Sequence, residues 1–327
     1  MSPVLELAPG LWRIRLPFHL ELNHVNVFVI RGSDGVTLVD CGYGTDEAFQ
    51  ILDGGLREIG IGWSGITRVL HTHAHPDHAG NSARIAALTD APVLMHGREI
   101  EYLGRFQTYV DTPEVLDPWL LSWGTAPAEV ARITDSFRAM AGTFRPAQAV
   151  TAIEEGTRLD GWHVVATPGH APGHLCLCHA QQRILISGDH VLEAISPNIA
   201  WMENGDPLGA YLDSLDKVAG LDVVRVVPSH GDEFTGLAGR CRHLAEHHRQ
   251  RCAAVLEAIG AGDTTAQQMV ERLWQRALSP FQHRFALFEV MAHLAYLERK
   301  GEVACERGGP VEHWSLTGGT SRAPDAY

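Results

Sequence analysis

The chain has 327 residues, more than one ordinary domain needs, so a large and a small unit are expected. A formal net charge of −13 argues against a general nucleic-acid coat or attachment to an anionic membrane surface, and no apolar run approaches a membrane span. Six cysteines without a Cys-x-x-Cys pair, and an N-terminus without a basic, apolar signal pattern, predict reduced thiols in a cytoplasmic protein.

Strand patterns open the chain at Leu11 to Leu16, Val25 to Arg31 and Val36 to Val39, with a hairpin turn at Ser33, Asp34 and Gly35. A helical stretch from Thr45 to Ile59 leads to an apolar strand, Ile66 to Leu70. His71-Thr72-His73-Ala74-His75-Pro76-Asp77-His78 follows directly. In an extended loop alternate residues point the same way, so His73 and His75 can grip one metal ion while Asp77 and His78 turn toward a second. Pro76 has a fixed φ and no N–H, which predicts a helix starting beside Asp77 and running through Asn81 to Leu88.

Residues 98–148 break the strand–helix rhythm with Tyr102, Phe106, Tyr109, Trp119 and Trp123 among prolines, and read as a helical insertion. Such a segment serves either as a spacer closing a seam or as a lid or wall facing substrate. Three further strand patterns then each end in a small residue and a metal-ligating one. His170 follows His163 to Ala166, Asp189 follows Arg183 to Ile186, and His230 follows Val223 to Val227. A lone His-x-His is more often packing than ligand, but this recurrence of strand, small residue and ligand fills the coordination shells that the first loop leaves open. The strand-rich opening followed by strand–helix alternation suits two sheets covered by helices.

The motif followed by a His, an Asp and a last His in this order resembles the metallo-β-lactamase superfamily, in its glyoxalase II-like H-x-H-x-D-H form, over roughly residues 10–236. The resemblance implies an αβ/βα four-layer sandwich, an α/β fold. It implies that His73, His75 and His170 hold one metal, that Asp77, His78 and His230 hold a second, and that Asp189 bridges them. True β-lactamases usually have Cys at the bridging place, so antibiotic hydrolysis is disfavoured. Asp40 resembles the family's buried aspartate that steadies a ligand His, and His71, His174 and His190 read as residues that line or orient the site.

From residue 237 the pattern is helical: Leu237 to Ile259, Thr264 to Arg272 and His283 to Arg299, then a hairpin through Gly301 to Glu306 and His313 to Leu316. Three helices and a hairpin look like a winged helix over 237–317, leaving 1–236 as the catalytic domain and 318–327 as a flexible tail. Residues 237–327 hold eleven Lys or Arg against ten Asp or Glu, a poor footprint for duplex DNA. The layout resembles the superfamily's branch of endoribonucleases and thioesterases in which such a module helps wall the substrate cleft.

The expected chemistry is a dinuclear hydrolase with two divalent ions per chain, zinc ahead of iron or manganese, acting through a metal-bound hydroxide that Asp77 orients. A thiolate leaves without prior protonation, so a thioester or other activated acyl group, small or carrier-bound, is the leading substrate, with His190 as the candidate proton donor. The alternatives are a single-strand RNA endonuclease, a lactonase, or a metal-containing binding or regulatory protein. A homodimer is compatible with the sequence.

Overall fold

A computed structural model describes residues 2–18, 22–140, 142–203 and 205–318. Two sheets lie face to face. The larger has the strand order β1 (Val4–Ala8), β2 (Leu11–Pro17), β3 (His24–Gly32), β4 (Gly35–Val39), β5 (Ile66–Leu70), β6 (Val93–His96) and β7 (Val150–Ile153). Its pairings are antiparallel as far as β4 and parallel beyond it. The smaller is built from β8 (Arg158–Leu159), β9 (Trp162–Ala166), β10 (Leu175–His179), β11 (Ile184–Gly188) and β12 (Arg225–Pro228), ordered in reverse from β12 to β8. Within this sheet β11 and β12 pair in parallel and the other described pairings are antiparallel.

The two-residue side-chain period of strands sorts the apolar residues into layers. On β3, Phe28 and Ile30 face the second sheet and pack with Trp162, Val164, Leu177 and Ile186. Their neighbours Val27 and Val29 face the other way, onto Leu52 and Leu56 of α1 (Asp46–Glu58). Helix α1 begins where Thr45 accepts a hydrogen bond from the Ala48 amide, and its first turn carries Asp46 and Glu47 as the helix dipole favours.

The helix expected through Leu88 is broken into α2 (Pro76–Ala79) and α3 (Ser82–Ala86). At the break, Gly80 packs so closely on the Gly42–Gly44 backbone that a Cβ would lie 2.6 Å from the Gly44 nitrogen. Asn81 donates its side-chain amide to the carbonyls of Cys41 and Tyr43. Tertiary contacts thus override the local helical pattern.

Helices α4 (Gly97–Asp111), α5 (Asp117–Ser122) and α6 (Pro127–Arg138) occupy the irregular segment, and α7 (Pro207–Ala219) precedes β12. Beyond β12 come α8 (Leu237–Gly260), α9 (Ala266–Leu273), α10 (Pro280–Arg299) and the hairpin of β13 (Val303–Glu306) with β14 (His313–Leu316). Helices α7 and α8 cover the outer face of the smaller sheet, completing four layers, with Tyr211, Leu215 and Leu244 packed on Cys176 and Leu185.

Leu120, Trp123, Ile133 and Phe137 of the inserted helices share one apolar core with Val255, Met269, Leu287, Val290 and Trp314. The division at residue 236 therefore cuts the chain without separating this core. Apart from Gly318, the expected tail lies outside the described residues. The six cysteines are free thiols, and among the described residues no helix is long and apolar enough to cross a membrane.

Candidate metal centre

The C-terminal ends of β5, β9, β11 and β12 carry the predicted ligands into one place. His73 Nε2 and His170 Nε2 lie 2.9 and 3.0 Å from His75 Nδ1. Across from them, His230 Nε2 is 3.1 Å from Asp77 Oδ2, and His78 Nε2 is 3.5 Å from the same oxygen. Asp189 Oδ2 stands between the groups, 3.6 Å from His170 Nε2, 3.6 Å from His78 Nε2 and 3.4 Å from His230 Nε2. Donor atoms of His73, His75 and His170 lie within 4.8 Å of one another, as do those of His73, His78 and Asp189 and those of Asp77, His78 and His230.

The donor atoms are oriented from behind. His78 Nδ1 donates to Asp40 Oδ2 at 2.9 Å, His170 Nδ1 to the Asn198 carbonyl at 2.8 Å, and His230 Nδ1 to the His24 carbonyl at 2.7 Å. Each such bond fixes a proton on Nδ1 and turns Nε2 to the site; Asp77 and Asp189 hold His78 and His230 above the ordinary imidazole range, so these two would release the Nε2 proton to an ion. Asp40 also accepts from the Thr72 amide and hydroxyl, both at 2.8 Å, and adopts φ 61°, a strained region for a residue with a side chain. His174 is a prop rather than a ligand: Nδ1 meets the Thr167 hydroxyl at 2.8 Å, and Nε2 accepts from the Asp189 amide at 3.0 Å. Gly188 makes that approach available, since its φ is +53° and a Cβ would lie 2.5 Å from His174 Nε2.

Burial disfavours the Asp189 carboxylate, but His230 and His78 outweigh that effect and hold its pKa well below the ordinary value. His73 is pushed well below the usual imidazole range by burial and by the neighbouring rings of His78, His75 and His170. Three neutral imidazoles on one side and two carboxylates with two imidazoles on the other form a donor set for divalent cations. His78 Nε2, His230 Nε2 and Asp189 Oδ1 are buried without a hydrogen-bond partner among the described residues. Orphaned atoms of this kind, all converging, fit metal ligation better than packing.

Two other expected participants stand outside the donor set, and one unexpected residue supports it. His71 is buried with Nδ1 3.8 Å from Asp40 Oδ1, behind the ligands. His190, the candidate proton donor, is fully buried, does not line the cavity, stacks edge-on to Tyr211, and is lowered to about 3 by burial. It is neutral at physiological pH and turned away from the chemistry. Glu99, absent from the sequence reading, sits wholly buried on α4 and clamps two ligand loops, accepting from the Ala74 amide at 2.8 Å and the Gly173 amide at 2.6 Å. Burial pushes its carboxyl up to about 7 despite those bonds.

His75, Asp77, His170 and Asp189 open onto a cavity of about 550 Å³. Tyr102, Phe106, Tyr109 and Trp119 of the insertion form part of its wall, so this segment faces the cavity as well as packing behind it. Phe281, Phe285 and Phe288 of α10 add to the wall, and this C-terminal helix thus reaches the metal centre's own chamber.

Residues 20–230 match the model of the metallo-beta-lactamase superfamily, and residues 252–312 match that of the metallo-beta-lactamase-like C-terminal domain. The chain is 29% identical over 296 residues to the probable metallo-hydrolase YqjP of Bacillus subtilis, covering 87% of this chain and 91% of that one. It is 24% identical over 325 residues to the atrochrysone carboxyl ACP thioesterase of Emericella nidulans, covering 96% and 86%. It is 25% identical over 240 residues to the acyl-coenzyme A thioesterase MBLAC2 of Bos taurus, covering 70% and 81%. Among solved structures, a metallo-beta-lactamase family protein of Thermus thermophilus superposes with a TM-score of 0.81 at 30% identity, over 95% of this chain and all of the other.

Proposed function

The chain belongs to the metallo-beta-lactamase superfamily and is a metal-dependent hydrolase, and from that premise we propose that it cleaves a thioester of an apolar acyl group with two divalent ions, zinc foremost. The observation that carries the proposal is the position of Asp189, whose Oδ2 faces both donor groups at the floor of an aromatic-walled cavity. When bound, a pair of such ions acidifies a water and draws charge from the oxygen of the scissile group.

His73, His75 and His170 would hold one ion and Asp77, His78 and His230 the other, with Asp189 shared. Asp77 also accepts a hydrogen bond from the attacking water and so aims it. The aromatic walls exclude solvent and take the acyl chain. No role as acid falls to His190, because its ring is buried away from the cavity. A thiolate departs without a proton donor where an alkoxide or amine needs one, which favours the thioester. The two relatives named as ACP and acyl-coenzyme A thioesterases support the same class. The order of three helices and a hairpin supports a winged-helix reading of the C-terminal module, here as cavity wall.

The test is a matched panel of thioester, oxygen ester and amide with one acyl group, together with single-stranded RNA, assayed on metal-loaded protein and on His73→Ala. Thioester cleavage far faster than the rest is expected. Metal-dependent RNA cleavage without thioesterase activity would replace this reading with a nuclease.

A further inference from the structure

Of the charged groups on the cavity wall that have no role in the chemistry above, Arg98, Glu101, Arg105 and Glu203 are exposed at its rim and Arg284 is buried. Arg284 of α10 is only 7% exposed and lines the cavity that holds His75, Asp77, His170 and Asp189. Its guanidinium carbon lies 4.0 Å from the Phe137 ring centre and 4.7 Å from those of Phe281 and Phe285. Among the described residues it has neither an ion-pair partner nor a hydrogen-bond acceptor. Burial lowers it only to about 10, so it stays charged at neutral pH, with the Tyr102 and Tyr43 phenols as its nearest titratable neighbours.

Three ring faces offset part of the cost of burying this charge, but they supply no acceptor for the planar fork of N–H donors on the cavity wall. A wall meant only for an acyl chain would be better served by Leu or Met, which fill the space without a desolvation penalty. Buried arginines without a partner in the protein are suited to a bidentate anion brought by the ligand.

The guanidinium is also held in register with the metal ligands. Asn198 accepts from His170 Nδ1 through its carbonyl, while its side chain donates to the Phe285 carbonyl at 3.3 Å and to Glu289 Oε2 at 3.4 Å. One residue therefore joins a ligand histidine to the turn of α10 that follows Arg284.

We propose that Arg284 binds a carboxylate carried by the acyl part of the substrate, so that the protein selects apolar acyl groups bearing a second, remote acid. This deepens the thioesterase reading and rests on it for the scissile bond, but the binding of the anion can be measured without turnover.

The experiment follows the fluorescence of Trp119 and Trp201, which both line the cavity, as metal-loaded protein is titrated with dodecanedioate or its monomethyl ester. Each probe offers one carboxylate to the metals; only the diacid offers a second. Wild type should bind the diacid at least about tenfold more tightly. Arg284→Met should lose that preference while binding the monoester within about twofold of wild type, and Arg284→Lys should keep part of it. A wild type indifferent to the second carboxylate, or an Arg284→Met or Arg284→Lys variant whose preference equals that of wild type, would overturn the proposal. In parallel, N-acetylcysteamine and coenzyme A thioesters of the same two acids should show a raised KM and near-normal kcat in Arg284→Met for the diacid alone. Dependence on the thiol handle instead would transfer the anion to the handle's phosphates and refute the acyl assignment. Inertness toward every thioester, with the binding preference intact, would remove the hydrolytic reading and leave the anion site standing.

Discussion

The two ends of the cavity are built on opposite plans. At the metal end His78, His170 and His230 each have the nitrogen away from the site tied to an oxygen within 2.9 Å, so donor positions are set before any ion arrives. At the helical end rings meet edge to face, as Trp119 and Trp201 do at 5.2 Å, and the buried guanidinium of Arg284 has no acceptor among the described residues. Geometry is dictated by hydrogen bonds at the first and by shape at the second. A small displacement should therefore be ruinous near Asp189 and merely selective near Trp119.

The largest effect should come from Asp189→Ala, which removes the oxygen facing both donor groups: turnover falls by about three orders of magnitude or more. Elemental analysis should find more than one metal lost per chain, and loss of only one would show that Asp189 serves a single ion. Next comes Asp40→Asn, whose amide cannot accept at every point where the carboxylate meets His78 Nδ1 and both groups of Thr72. Metal affinity should drop by about 10–100-fold with all seven candidate ligands still in place, as competition against a chromophoric chelator would measure.

Glu99→Gln should act more gently, loosening two ligand loops through one lost backbone acceptor, with about tenfold weaker metal binding. Its pH signature is distinctive. Because burial raises this carboxyl from 4.5 to about 7, the folded chain keeps a proton that the unfolded chain has released. The contribution of Glu99 to stability is thus greatest below about pH 4.5 and declines as pH rises toward 7. Melting curves of chelated protein should show wild type losing stability relative to Glu99→Gln across that interval; parallel curves would contradict it. Smallest of all, Trp119→Leu should raise KM several-fold for a long acyl thioester and leave acetyl thioesters unaffected, with kcat nearly constant. An equal loss on both would mean that the wall positions the reacting group as well as the chain.

The metal end was legible because strands carry their signal locally: an apolar run ending in a small residue and a ligand shows where a chain leaves a sheet, and β5, β9, β11 and β12 bring four such exits together. Asp40 could be found the same way, at the end of β4. Glu99 and Asn198 gave no comparable signal. Each matters through a partner more than 20 positions away, and nothing in the residues around them marks that partner. Nor does helical periodicity say what an apolar stripe packs against. The aromatic, helical character of residues 98–148 is plain in the sequence, whereas the packing of Leu120, Trp123 and Ile133 with Leu287 and Trp314 is a tertiary fact. The break at Asn81 was hidden for a related reason, since its cause is the Cys41–Tyr43 backbone on another segment.

Asn198 has a consequence for energetics. Its carbonyl steadies an imidazole that faces the metal site, and its amide steadies the helix that walls the cavity. An ion and a cavity ligand would therefore lean on one shared element. Any factor by which an ion at His170 tightens the grip on an acyl chain must reappear, unchanged, as tighter retention of that ion when the chain is bound. A ligand whose grip the ion tightens would thus guard the protein against metal loss, and at equilibrium a chelator should strip the free protein at a lower concentration than the occupied one.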